Sequence, residues 1–132
     1  MNEAMTKEMA IEEFNGWIEK KKIRPSLLEK KDTTKEARES ILDALVEGIL
    51  TISEEGIITQ KLNFPVGQTE ELNYSLRMTA SEMDAMNRFK DENGKSRAMI
   101  GKLTKTMTAI IDKLDTTDLA LSQTIASFYY LV

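Results

Sequence analysis

The side chains available for chemistry in this chain are carboxylates, lysines, tyrosines and hydroxyls, because it contains no His and no Cys. Thiol nucleophiles, disulfides, thiolate or imidazole metal sites and imidazole acid/base catalysis are therefore excluded together. Three carboxylate pairs remain, Glu54-Glu55, Glu70-Glu71 and Asp91-Glu92. A general acid needs a carboxyl whose pKa is raised inside a cleft, and all three pairs fall in expected turns, where acidic side chains are solvated. Asp112, Asp115 and Asp118, spaced by threes, could gather a hard cation such as Mg²⁺ or Ca²⁺. The remaining oxygens and the central Gly of a calcium loop are missing, however, and helix capping already accounts for Asp115 and Asp118.

Hydroxyl nucleophiles fare no better, since neither Gly-x-Ser-x-Gly nor Ser-x-x-Lys occurs. Gly94-Lys95-Ser96 resembles the end of a phosphate-binding loop, but the first Gly of that motif would fall at Phe89 and no strand precedes it. The expectation is a protein without catalytic residues, metal ligands or cofactor. Binding is a better prospect. Lys20, Lys21, Lys22 and Arg24 form a basic run beside Trp17 that could touch phosphates and stack a base, although Glu8, Glu12, Glu13, Glu19 and Glu29 interleave or flank it. The chain also carries 8 methionines, soft side chains suited to core gaps and to adaptable binding surfaces.

At 132 residues, 41% hydrophobic and 30% charged, the chain is one domain's worth and long enough to bury a modest core. Of the net charge of -4, residues 1–40 contribute nothing and residues 41–132 contribute all of it, so the main body repels phosphate backbones. No stretch approaches the roughly 20 apolar residues of a membrane span. The first thirty residues hold no apolar run of secretory type, which points to the cytoplasm.

The elements that must position these groups are legible from periodicity. Met9, Ile11, Phe14, Trp17 and Ile18 recur at threes and fours and predict a helix over 5–22, ended by Lys20-Lys21-Lys22 and by Pro25. A polar connector follows. Thr33 with Glu36 reads as a capping box opening a helix over 33–48, with stripe Ala37, Ile41, Ala44 and Leu45 and Gly48 as its stop. The period then falls to 2: residues 49–52 and 57–66 predict a hairpin around Gly56, with Ile58, Gln60, Leu62, Phe64 and Val66 on the inner face. After a polar loop, alternation over 72–77 predicts a third strand with Leu72, Tyr74 and Leu76 inward.

Helical spacing returns with a capping box at Thr79 and Glu82 and a stripe of Met83, Met86 and Phe89, which residues 91–94 should end. A helix from Met99 should break near 104–108, and a last helix should start at Asp115 with stripe Leu121, Ile125, Phe128 and Val132. The expected fold is α+β: N-terminal helices, a small three-stranded antiparallel meander and a helical C-terminal half. Residues 1–32 read as an N-terminal helix and basic connector, and residues 33–132 as a single α+β domain.

From about residue 58 to 132 the order of features resembles the small tail assembly chaperones of long-tailed phages and prophages. The first block is Leu62-Asn63-Phe64-Pro65-Val66 followed by the segment from Glu71 to Met83, an apolar strand with a Pro and a second strand ending in Leu-Arg before a capped helix. The second is Met99-Ile100-Gly101-Lys102-Leu103-Thr104 with Leu114-Asp115-Thr116-Thr117-Asp118-Leu119. The N-terminal helix has no counterpart in that pattern, and Gly101 stands earlier than the family's Gly.

The resemblance implies a non-enzymatic factor, in the cytoplasm of a bacterial host, that binds the tape-measure protein and helps recruit tail-tube subunits. A client built of long amphipathic helices needs apolar grooves. Met99, Leu103, Met107, Phe128 and Tyr129 are the residues expected to contact it, and self-association is compatible with the sequence. Two alternatives stand: a structural or adaptor protein of a phage or mobile element, and a small nucleic-acid-binding regulator using residues 20–24.

Overall fold

A computed structural model describes residues 5–84 and 91–130. The chain opens with helix α1 (Lys7–Lys21), whose N-cap Thr6 accepts from the Met9 amide and whose C-cap Lys22 adopts left-handed backbone. A short helix α2 (Pro25–Glu29) has Pro at its first position, where its fixed φ suits a helix start and its missing N–H costs nothing. The expected connector is thus partly helical. Helix α3 (Asp32–Glu47) starts earlier than the Thr33/Glu36 box, with Lys31 as a cap that supplies no side-chain bond. Asp32 in the first turn complements the helix dipole there. Gly48 ends α3 at φ 81°, a conformation that an L side chain resists.

The sheet is an antiparallel meander in the order β1 (Leu50–Ile52), β2 (Ile58–Val66), β3 (Thr69–Tyr74), as the alternation predicted. Its inner face carries Ile58, Gln60, Leu62, Leu72 and Tyr74, all buried. The third strand lies about three residues upstream of the predicted 72–77. Only Gly67 and Gln68 separate it from β2, and it stops at Tyr74, which pairs with the first residue of β2. Beyond that point the Ser75 amide turns away and donates to the Leu103 carbonyl at 2.9 Å.

Helix α4 (Ala80–Met83) begins with the expected capping box between Thr79 and Glu82. Met86, Phe89 and Val132, named in the predicted stripes, lie outside the described residues. The acidic turn at 91–94 opens a helix where an end was expected: Asp91 accepts from the Gly94 amide and caps α5 (Glu92–Thr104). The predicted break is present, with Lys105 in left-handed backbone before α6 (Thr108–Ile111). Asp115 caps α7 (Thr116–Ser127), which runs into a 3₁₀ turn over Phe128–Tyr130. No helix among the described residues is long and apolar enough to cross a membrane.

One hydrophobic cluster unites these elements, those before residue 33 included. Phe14 and Trp17 of α1 are buried at its centre beside Ile41 and Leu45 of α3, Leu50 and Ile58 of the sheet, and Ile125 and Phe128. The Phe14 and Phe128 rings meet edge-to-face at 5.4 Å between centroids, and Trp17 stands nearly perpendicular to Phe128 at 6.1 Å and at 64° to Tyr129 at 5.9 Å. Such edge-to-face contacts add roughly 1 kcal/mol each beyond area burial. The Trp17 indole N–H donates to the Gly56 carbonyl at 3.1 Å, so its one polar atom is satisfied inside the core. The N-terminal helix is therefore a wall of the domain.

Phe14→Ala should accordingly cost about 3–5 kcal/mol of unfolding free energy in a denaturant titration, the range for emptying an aromatic site in a packed core. A loss under about 1 kcal/mol would mean that α1 is an appendage after all.

Candidate interaction site

The end of the β2–β3 hairpin is built on a bulge. Lys61 pairs with Glu71 and Val66 pairs with Thr69, so β2 takes five steps where β3 takes two. The intervening β2 residues leave the ladder, and two of their amides need another acceptor. Asp118 of α7 supplies it. Its carboxylate is 2% exposed and accepts from the Asn63 amide through one oxygen and from the Phe64 amide through the other, both at 3.0 Å. Hydrogen bonds to a charged acceptor are the stronger kind and account for a carboxylate at a buried position.

A second set of bonds fixes α7 to the strand. The buried Gln60 side chain donates to the Asp118 carbonyl at 2.9 Å and accepts from the Tyr74 hydroxyl at 2.6 Å and from Ser122 at 2.8 Å. Every polar atom of that inward amide oxygen and nitrogen thus has a partner, the condition for a polar group to sit in a core. Burial pushes the Tyr74 phenol pKa well above its ordinary value, so it stays a neutral donor. These bonds hold Leu62 in the core while the bulge carries Phe64 out of the inner face that alternation assigned to it. Phe64 is 58% exposed, followed by exposed Pro65 and half-buried Val66.

Most of the residues expected to contact a partner are elsewhere. Met99, Leu103, Phe128 and Tyr129, four of the five residues expected to make that contact, are buried. The stripe of α5 faces the shared core, and the 3₁₀ turn folds Phe128 and Tyr129 back onto α1, so both groups are spent on packing. Met107 differs: it caps α6 and is 69% exposed. The large apolar side chains at the surface, among the described residues, are Met9, Phe64 and Met107.

The carboxylates do not assemble. Asp112 pairs with Arg97 at 3.4 Å, Asp115 caps α7 through the Thr117 amide, and Asp118 holds the bulge. Among the described residues no group of three or more Asp or Glu is arranged to hold a metal ion. Glu70 and Glu71 lie on β3 and not in the predicted loop, and Glu71 faces Lys61 across the ladder. In the basic segment Lys20 donates to the Glu54 carbonyl and Lys21 to the Leu76 carbonyl, so two of its four cations are committed to the fold. A surface cavity of about 340 Å³ between α1, α2 and α3 is lined by residues of both signs, including Lys35, Arg38 and Glu39.

Replacing Asp118 by Ala should free the part-buried Asn63 and Phe64 amides and destabilise the protein by about 1 kcal/mol, the low end of the cost of leaving polar groups unpaired. Amide exchange at those two residues should accelerate more than at Thr59, which stays within the ladder. Comparison of the chain with protein-family models, curated proteins and solved structures found no match.

Proposed function

We propose that this protein is a non-catalytic, protein-binding assembly factor of the tail assembly chaperone type, acting on the tape-measure protein and tail-tube subunits in the cytoplasm of a bacterial host. The observation that carries the reading is the exposed Phe64 on a hairpin end that a buried carboxylate holds in place. It falls inside the Leu62–Val66 block on which the resemblance rests. An exposed aromatic fixed by its backbone loses little entropy on binding, which is what an anchor for an apolar client needs. Met107, also within the resembling stretch, is a second exposed apolar contact of the flexible kind that accommodates varied helices. The lack of His and Cys agrees with work done by contact.

The reading is tested by co-expressing the chain with the tape-measure protein encoded beside it. The client should stay soluble and co-elute only when the chain is present, and finished particles should lack the chain. Phe64→Ser together with Met107→Ser should weaken co-elution roughly 30-fold, since losing a central aromatic anchor costs about 2 kcal/mol or more, with the melting temperature little changed. Stoichiometric retention in particles would favour a structural component, and absence of any tape-measure gene nearby would remove the proposal.

A further inference from the structure

Two helix faces meet across the surface cavity between α1, α2 and α3. On α2 the lining residues are Pro25, Leu28 and Glu29, and on α3 they are Lys35, Arg38 and Glu39. Each set is spaced i, i+3, i+4, which puts its members on one side of the helix, so both helices turn a continuous face towards the same space. Asn15 of α1 completes the wall. The volume of about 340 Å³ is at the low end for a small-molecule site and has room for about ten groups the size of a water.

The charges of that wall do not cancel. Glu39 is already engaged, because its carboxylate accepts from Lys7 of α1 at 2.8 Å, and Lys7 does not line the cavity. The ion pairs among the described residues are Lys7 with Glu39 and Asp43, and Arg97 with Asp112, so Lys35 and Arg38 have no carboxylate partner there. Against these two cations stands one uncommitted anion, Glu29. An incoming monoanion would make the balance even. Arg38 is the better placed of the two cations: it is half-buried, and its guanidinium carbon lies 6.0 Å from the centre of the buried Phe14 ring, within reach of a cation–π contact. A guanidinium held against a ring presents a planar fork of donors, the geometry that matches a carboxylate through two bonds.

We propose that the cavity between α1, α2 and α3 binds a small carboxylate carrying a short apolar group, with its charged end between Lys35 and Arg38 and its apolar end against Pro25 and Leu28. Leu28, half-buried on α2, and the Pro25 ring supply the apolar side. Glu29 sets the charge limit: a dianion such as hydrogen phosphate meets its repulsion, whereas a single carboxylate is balanced by the surplus cation. Asn15 offers an amide that both donates and accepts, for a further polar group on the ligand. This chemistry has two sources, a free branched-chain acid and the C-terminal residue of a polypeptide, which share the carboxylate and the apolar group.

Isocaproate, the probe for the free acid, should shift the amide resonances of Asn15, Leu28 and Arg38 in a saturable titration of the whole chain. Isohexanol, which keeps the tail without the charge, and inorganic phosphate, which keeps charge without the tail, should each bind at least about tenfold more weakly. Arg38→Gln should weaken isocaproate binding about tenfold or more, and Lys35→Gln, at an exposed position, about threefold. Lys61→Gln on β2 should leave it unchanged, and all three variants should keep the far-ultraviolet circular dichroism of the wild type. Acetyl-alanyl-leucine binding more tightly than isocaproate would assign the site to a polypeptide C-terminus, and binding more weakly would assign it to a free acid. No saturable shift, equal binding of isohexanol or phosphate, or an affinity that Arg38→Gln leaves unchanged would each overturn the proposal.

Discussion

The domain depends on a single joint of aromatic rings. Phe14 and Trp17 come from the first helix, Phe128 and Tyr129 from the last described turn, and their edge-to-face contacts close the chain on itself. Around that joint α3 and the inner face of the sheet complete a common core. A small sheet of three strands buries too little on its own to be stable, and helices from both ends of the chain supply the cover that it lacks.

A second constraint acts at the far end of β2. The bulge in β2 leaves backbone donors without a ladder, and the fold answers with one carboxylate from α7. The consequence is a division of roles along one strand: Ile58, Gln60 and Leu62 belong to the core, and Phe64 belongs to the surface. Polar and apolar packing cooperate here, because Gln60, Tyr74 and Ser122 lock α7 against the strand from which the exposed segment extends.

Much of the architecture was legible in the sequence, and the limits were physical. The meander followed from period-2 alternation, the ends of α3 and α5 from Gly48 and the Thr-rich break, and the start of α7 from Asp115. Local signals failed where tertiary contacts took over. Asp32, one residue ahead of the Thr33/Glu36 box, opens α3, and Asp91 caps α5 although the Gly94 close behind it signals a stop. The exposed site was harder still. Alternation placed Phe64 inward, and only a bulge, invisible in a single sequence, puts it outside. Gln60 did give a hint, since a Gln at an inward position between Ile58 and Leu62 demands partners that only the fold can provide. Met99, Leu103, Phe128 and Tyr129 stand out in the sequence only as apolar or aromatic, a property shared equally by cores and by docking surfaces.

The aromatic joint also bears on the order of events during synthesis. Contacts between residues so far apart along the chain give high contact order, and loop closure must precede the reward of burying the rings. While a nascent chain lacks residues 128 and 129, Phe14 and Trp17 have no final partner, and α1 cannot complete its docking. The core therefore closes only once residues 128 and 129 are available, and until then the chain exposes its most aromatic helix face.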